Sequence, residues 1–375
     1  MENLSFLIKP ASGLCNMRCR YCFYEDETAV RESGNRGLMS QETAFQLIDE
    51  TFSLLSGRGR VSFAFQGGEP TLAGLDYFRA FTVRVRERNT ARLPVSYAIQ
   101  TNALALNEDW ADFLRENHFL VGVSLDGEKA IHDALRPDAA GKDTWNRVTR
   151  NLSLLQRKQV EVNLLCVVSR LCAKHPAKVY RSLQKLGGQY LQFIPCLDPL
   201  EAERGSMPYS LTPQLYGDFL CALFDLWYRD LSQGRYTSVR LFDDYVHLAM
   251  GLPPGTCSTA GSCGAYLVVE GDGALYPCDF YCLDQWSLGR LGEVSLAQAM
   301  ESPRAKEFLQ EGQDRPSDCG GCRWLSLCNG GCKRDWVLEK GERHNYFCPA
   351  FQRFFAYTEP RLRELALFFQ TRQGR

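Results

Sequence analysis

The chain has 375 residues, enough for one large domain with an appended module or for two domains, and its 45% hydrophobic content supplies a substantial core. A formal net charge of −1 leaves no footprint for nucleic acid or an anionic membrane surface, so neither partner is expected. No apolar run reaches the roughly 18 residues of a membrane-spanning helix.

Sixteen cysteines, with neither a basic stretch nor a long apolar stretch after Met1, predict a reducing, cytoplasmic setting and metal binding in place of disulfides. Five histidines are too few to favour a histidine-based zinc hydrolase.

In chain order, short apolar segments at Ser5–Ile8, Val61–Phe65, Val95–Ile99, Phe119–Ser124, Val162–Val168 and Tyr190–Ile194 read as strands. They are rich in β-branched and aromatic residues and mostly apolar on both faces, as buried parallel strands are. Amphipathic helices fall between them. One begins after Ser40, with Phe45, Leu47, Ile48 and Phe52 on its apolar face; another begins after Asn107 and carries Trp110, Phe113 and Leu114. Repeated βα units predict an α/β fold with a parallel sheet, and six units are too few for a complete eight-fold barrel.

Polar residues gather just after these strands, where parallel α/β proteins place their chemistry. Cys15-Asn16-Met17-Arg18-Cys19-Arg20-Tyr21-Cys22 follows the first, and Gln66-Gly67-Gly68-Glu69-Pro70 the second. Gln100-Thr101-Asn102 follows the third, and Ser124-Leu125-Asp126-Gly127 the fourth.

Beyond these, Leu211–Leu231 reads as a helix whose aromatic face (Tyr216, Phe219, Phe224, Trp227) is core. Gly271-Asp272-Gly273 reads as a hairpin turn between Tyr266–Val269 and Ala274–Tyr276. Pro349–Phe369 reads as a closing amphipathic helix. The expected domains are 1–210, a helical connection at 211–250, and a cysteine-rich module at 251–375.

Cys15, Cys19 and Cys22 carry the chemistry of the first region. A [4Fe–4S] cluster usually takes four thiolates, so three leave one iron free to bind a small chelating molecule. A zinc site is the bland alternative. A second field holds Cys257, Cys263, Cys278, Cys319, Cys322, Cys328, Cys332 and Cys348, the eight thiolates that two complete [4Fe–4S] clusters require. Paired cysteines also serve structural zinc, and spacing alone leaves that choice open. Cys166, Cys172, Cys196, Cys221 and Cys282 read as buried apolar cysteines.

The C-x3-C-x-aromatic-C spacing resembles the radical S-adenosylmethionine (SAM) superfamily, and the second field resembles its SPASM domain. The resemblance implies a partial (β/α)6 TIM-like barrel with a C-terminal SPASM domain. It implies SAM and three [4Fe–4S] clusters, one SAM-binding and two auxiliary. Cys257, Cys263, Cys278 and Cys332 would hold one auxiliary cluster, and Cys319, Cys322, Cys328 and Cys348 the other.

A narrower resemblance covers nearly the whole chain. Leu7–Pro10, Phe63–Gly74, Gln192–Ile194 with Leu197–Pro199, and Tyr276–Tyr281 look like the anaerobic sulfatase-maturating enzymes. That family oxidises a sulfatase cysteine or serine to 3-oxoalanine (Cα-formylglycine), a 5′-deoxyadenosyl radical taking the β-hydrogen. The resemblance implies Asp279 as the base, a role suited to a partly buried carboxylate. It implies SAM contacts at Tyr21, Gly68, Ser124, Arg136 and Leu197.

The implied partners are an unfolded or nascent sulfatase polypeptide with a Cys/Ser-x-Pro-x-Arg motif and a donor such as flavodoxin or ferredoxin. Pro195 departs from the family pattern and removes a backbone donor near the sixth strand. Two other readings compete. One is another SPASM-type peptide modifier forming thioethers or crosslinks, which often carries an N-terminal recognition domain for which residues 1–14 leave no room. The other is a non-catalytic iron–sulfur or zinc protein, which gains nothing from an open iron.

Overall fold

The computed structural model describes residues 3–373; Met1 and Glu2, at the head of the first expected segment, lie outside the described residues, as do 374 and 375. Its strands are β1 (Asn3–Ile8), β2 (Arg60–Phe65), β3 (Val95–Thr101), β4 (Phe119–Ser124), β5 (Val162–Val168), β6 (Tyr190–Pro195), β7 (Ser238–Val239), β8 (Leu267–Val269), β9 (Leu275–Tyr276), β10 (Trp336–Glu339) and β11 (Glu342–Asn345). The chain forms two compact units that interleave in sequence. The first takes residues up to Ser124, Asp133–Asn163 and Gly264–Leu309; the second takes Leu125–His132, Leu164–Cys263 and the chain from Gln310 on.

In the first unit, β1 pairs in parallel with β2, β2 with β3 and β3 with β4. Phe63, Phe65, Phe78, Phe81 and Phe119 form a buried aromatic core over this sheet, with ring centroids 4.8 Å apart for Phe65–Phe78 and 5.1 Å for Phe63–Phe81. Ser40 and Asn107 cap the helices Gln41–Leu55 and Glu108–Glu116 as expected, accepting from Thr43 N (3.1 Å) and Trp110 N (3.0 Å).

Two details differ from the sequence reading, and one expected element takes on a further role. The first helix turns Ala44, Leu47, Ile48, Thr51 and Leu55 inward, leaving Phe45 and Phe52 half-buried. β3 runs two residues beyond Ile99, so Gln100 and Thr101 are strand residues, not loop residues. The expected hairpin at Gly271-Asp272-Gly273 forms as β8–β9, and β8 extends the parallel sheet along the free edge of β1. Lys9 N donates to Val269 O (2.8 Å), carrying that register past the end of β1.

In the second unit, β5 pairs in parallel with β6, and β6 with β7. Pro195 occupies the last position of β6, where its missing donor does not interrupt the ladder. The helix Pro213–Ser232 buries Tyr216, Phe219, Phe224 and Trp227, and these are core as expected. Phe354, on the closing helix Cys348–Gln373, meets Phe224 and Phe242 at 5.7 Å each. Cys257, Cys319 and Cys328 of this unit lie on short helical turns, Cys348 begins the closing helix, and the two-stranded hairpin β10–β11 runs between Cys332 and Cys348. No helix among the described residues is long and apolar enough to cross a membrane.

Candidate active site and cysteine centres

The first cysteine loop leaves the end of β1 and is held along its length by backbone hydrogen bonds. Arg18 N donates to Pro137 O (2.9 Å), Arg20 N to Leu135 O (2.9 Å) and Ala139 N to Asn16 O (3.0 Å). This register carries Arg136, the predicted site residue with no motif of its own, alongside the cysteines. Its guanidinium lies 5.5 Å from the Tyr21 ring centroid and its Nη1 donates to Cys19 Sγ at 3.8 Å.

Cys22 caps the helix Phe23–Val30, its Sγ accepting from Glu25 N at 3.4 Å; Cys15 Sγ accepts from Met17 N at 3.4 Å. Burial pushes the Cys15 thiol up to about 11 and raises Cys22 as well. A bound cation is what offsets such a penalty on thiolates.

The next loops are stitched to this one. Gly68 N donates to Ser12 O (2.7 Å) and Glu69 N to Leu14 O (2.8 Å). A Cβ on Gly68 would stand 2.1 Å from Leu14 O, so backbone contact within the protein already demands glycine there.

Glu69, 1% exposed, accepts from Thr71 N (3.1 Å), Thr71 Oγ1 (2.7 Å), Thr101 Oγ1 (2.7 Å) and Asn102 N (2.8 Å). It thereby aims Asn102, whose Nδ2 reaches Asn16 Oδ1 at 2.7 Å and Cys15 Sγ at 3.8 Å. Gln100 Nε2 donates to Ser124 Oγ (2.9 Å), and Gly122 opposite leaves space for the glutamine side chain. Tyr21, Gly68, Ser124, Arg136 and Cys15, all of this unit, thus lie at or just beyond the ends of β1, β2 and β4, held by separate sets of contacts. Leu197 follows β6 in the second unit, half-buried between Cys196 and Asp198.

Asp279 lies just past β9, and the addition of β8–β9 to the sheet edge sets it against β1 and β2. Its Oδ1 pairs with Lys9 Nζ, and its Oδ2 accepts from Gln66 Nε2 at 2.7 Å. Lys9 is fully buried, its ammonium 3.6 Å from the Tyr24 ring centroid. Burial alone would lower its pKa, but Asp279, with Tyr24, Cys282 and Glu270, holds it well above the ordinary value. The Tyr24 hydroxyl donates to Glu270, which also pairs with Arg31 at 2.6 Å. Sequence reading missed Lys9, Gln66 and Tyr24 in these roles; a lysine directly after an apolar strand was the available signal.

In the second unit, Cys319, Cys322, Cys328 and Cys348 lie near one another, and burial, with the neighbouring thiols adding to it, pushes Cys328 up to about 12. Cys263 lies beside Cys257, and a Cβ on Gly312 would come within 2.6 Å of Cys263 Sγ. Cys332 Sγ accepts from Arg334 N at 3.4 Å. Cys278 belongs to the first unit. Cys166, Cys172, Cys196 and Cys282 are buried as expected, and Cys221 is half-buried.

These donor sets fit iron–sulfur clusters: half-buried thiols, backbone N–H groups directed at sulfur, and a glycine, Gly312, where a Cβ would strike it. Among the described residues, no three His, Cys, Asp or Glu side chains stand at single-ion spacing. A four-iron cluster spreads its thiolates wider than one ion does. A cavity of about 410 Å³ in the second unit, lined by Arg181, Arg229 and Arg235 among others, contains none of these residues.

Comparison with known proteins agrees with this chemistry. Residues 10–173 match the radical SAM superfamily, and 260–323 match an iron–sulfur cluster-binding domain, SPASM. A cysteine-type anaerobic sulfatase-maturating enzyme of Clostridium novyi is 42% identical across all of both chains. A serine-type enzyme of Klebsiella aerogenes is 33% identical over 93% of this chain and 84% of its own. The solved structure of native anSMEcpe with bound AdoMet and Cp18Cys peptide superposes with a TM-score of 0.92 at 40% identity, covering 98% of this chain and 99% of that one. The cofactors of such proteins are SAM and [4Fe–4S] clusters. The chain belongs to the anaerobic sulfatase-maturating enzymes, radical SAM proteins with a SPASM domain.

Proposed function

We propose that this enzyme oxidises an active-site cysteine of a sulfatase to 3-oxoalanine, meeting the unfolded or nascent polypeptide in the cytoplasm at a Cys-x-Pro-x-Arg motif. The observation that carries the choice of cysteine over serine is the full-length identity of 42% with a cysteine-type enzyme, against 33% with a serine-type one. Raising a –CH2–SH carbon to the aldehyde level removes two electrons and two protons, after which water replaces sulfur and hydrogen sulfide leaves. When bound, SAM and the clusters supply the one-electron chemistry: removal of the β-hydrogen and onward passage of the remaining electron.

The chain's own residues hold these groups and move the proton. Cys15, Cys19 and Cys22 hold the SAM-binding cluster, and Asn102 and Arg136 direct N–H groups at its thiolates. Arg136 would hold the SAM carboxylate as a charge-assisted pair, and the family resemblance gives further SAM contacts to Tyr21, Gly68, Ser124 and Leu197. By the family resemblance, Cys257, Cys263, Cys278 and Cys332 would hold one auxiliary cluster, and Cys319, Cys322, Cys328 and Cys348 the other. Asp279 takes the thiol proton: its carboxylate is 3% exposed and anchored at both oxygens, which keeps bulk water from competing. Flavodoxin or ferredoxin supplies the electron that starts the cycle.

The test incubates anaerobically reconstituted protein with SAM, a reductant and matched Cys-x-Pro-x-Arg and Ser-x-Pro-x-Arg peptides, with mass spectrometry of the target residue. Aldehyde from the cysteine peptide at a higher kcat/KM supports the reading. A serine preference overturns the substrate choice, and SAM cleavage without aldehyde overturns the reaction.

A further inference from the structure

We propose that Lys9 is a positioning residue of the reaction: it fixes the Asp279 carboxylate in the orientation from which that group receives the substrate proton. This rests on Asp279 being the base, as proposed above.

Lysine is seldom fully buried, and a buried ammonium is costly unless paired. Here Lys9 is 0% exposed, at the first position beyond β1, where the register with β8 carries its backbone. The ammonium has two evident contacts: Asp279 Oδ1 on one side and the Tyr24 ring face, 3.6 Å away, on the other. Gln66 Nε2 holds Oδ2 at 2.7 Å. The two donors fix the rotation of the carboxylate about its Cβ–Cγ bond, while each oxygen keeps a second lone pair for a substrate proton.

The surroundings keep the ammonium in place. Tyr24 is anchored through its hydroxyl to Glu270, and Glu270 is held by Arg31, both of that pair having fully buried side chains. Two cations, Lys9 and Arg31, therefore face two carboxylates, Asp279 and Glu270, across one tyrosine. Asp279 stands on a short 3-10 turn, Asp279–Tyr281, with no sheet or long helix of its own to hold it. Its orientation is therefore set by side-chain contacts. A misplaced catalytic group can cost a hundredfold in rate, so an anchor of this kind acts on the proton-transfer step and leaves SAM cleavage intact.

The experiment compares Lys9→Met, Lys9→Gln, Asp279→Asn and the Lys9→Met/Asp279→Asn double variant as reconstituted holoenzymes with the cysteine peptide. Three quantities are read: iron content, deoxyadenosine formed, and aldehyde per deoxyadenosine. Lys9→Met is expected to keep its iron and form deoxyadenosine while aldehyde per deoxyadenosine falls about tenfold or more. Lys9→Gln, which keeps a donor, is expected to lose less. The double variant is expected to be no less coupled than Asp279→Asn alone, because Lys9 acts through that carboxylate.

Wild-type coupling in Lys9→Met overturns the proposal, and so do additive losses in the double variant. So does parallel loss of iron and deoxyadenosine in both Lys9 variants, which would make the residue structural only. Wild-type coupling in Asp279→Asn would instead sink the base assignment itself, a separate result.

Discussion

The two cysteine regions are built by opposite means. The loop Cys15–Cys22 is anchored by the ends of parallel strands, by backbone bonds to residues 135–139 and by the buried Glu69, which aims Asn102 at Cys15. Its sulfurs face polar side chains that come from distant parts of the chain. Of the quartet, Cys319, Cys322 and Cys328 sit on short turns, with Asn329, Gly330 and Gly331 in the left-handed region, and Cys348 begins the closing helix. Its thiols lie near one another, and burial, with the neighbouring thiols adding to it, pushes Cys328 up to about 12. A loop scaffolded by a sheet can keep an iron open for a small ligand. A loop without one depends on its metal for shape.

The severest way to break this contrast is at the first loop. Cys19→Ala is expected to abolish SAM cleavage, measured as deoxyadenosine, while leaving the melting temperature of the iron-free protein within a few degrees of the parent, because the sheet holds that loop.

Removing iron should separate the two loops further. After anaerobic chelation, hydrogen exchange is expected to rise strongly across 319–348 and only modestly across 15–22. Equal rises in both would refute the scaffold argument.

Glu69→Gln probes the scaffold from within. The amide would turn a donor toward hydroxyls and N–H groups that now donate to Glu69, with a stability loss of about 2–4 kcal/mol in denaturant titration.

The smallest effect concerns Asp335 in the second unit. Burial raises its carboxyl to about 6, the nearby Arg204 and Arg334 only partly opposing this. A carboxyl raised in the folded state binds its proton more tightly than in the unfolded chain. Its stabilising contribution is therefore present at low pH and lost as pH rises from about 4 to about 6. Asp335→Asn removes that dependence and is expected to gain about 1–2 kcal/mol at pH 7.5, a gain that shrinks at pH 5.5. Thermal melts of the holoenzyme at the two pH values check it.

Much of this was legible in the sequence because the signals are local. Alternation of apolar strands and capped helices follows from side-chain periodicity and from residues such as Ser40 and Asn107. The cysteine spacings follow from how far a short loop can reach around a cluster. The aromatic face of Pro213–Ser232 read as core because four large rings at helical spacing have no cheaper environment.

Other features required the fold. Nothing near Lys9 in the sequence identifies Asp279, 270 residues away, as its partner; the pair exists because β8 joins β1 in parallel. Arg136 had no motif to fix its register, and long-range backbone bonds to the cysteine loop supply one. Gly68 was expected to admit a ligand, yet the Leu14 carbonyl already excludes a side chain there.

The residue types that the chemistry needs are written in the chain: thiols in sets of three and eight, a glycine-rich turn, and an aspartate after Cys278. Tertiary structure decided which charges face each other. Local composition constrains a segment's own conformation, whereas burying an ammonium against a carboxylate depends on desolvation by the whole surrounding core, and strand pairing creates that core only once distant segments meet.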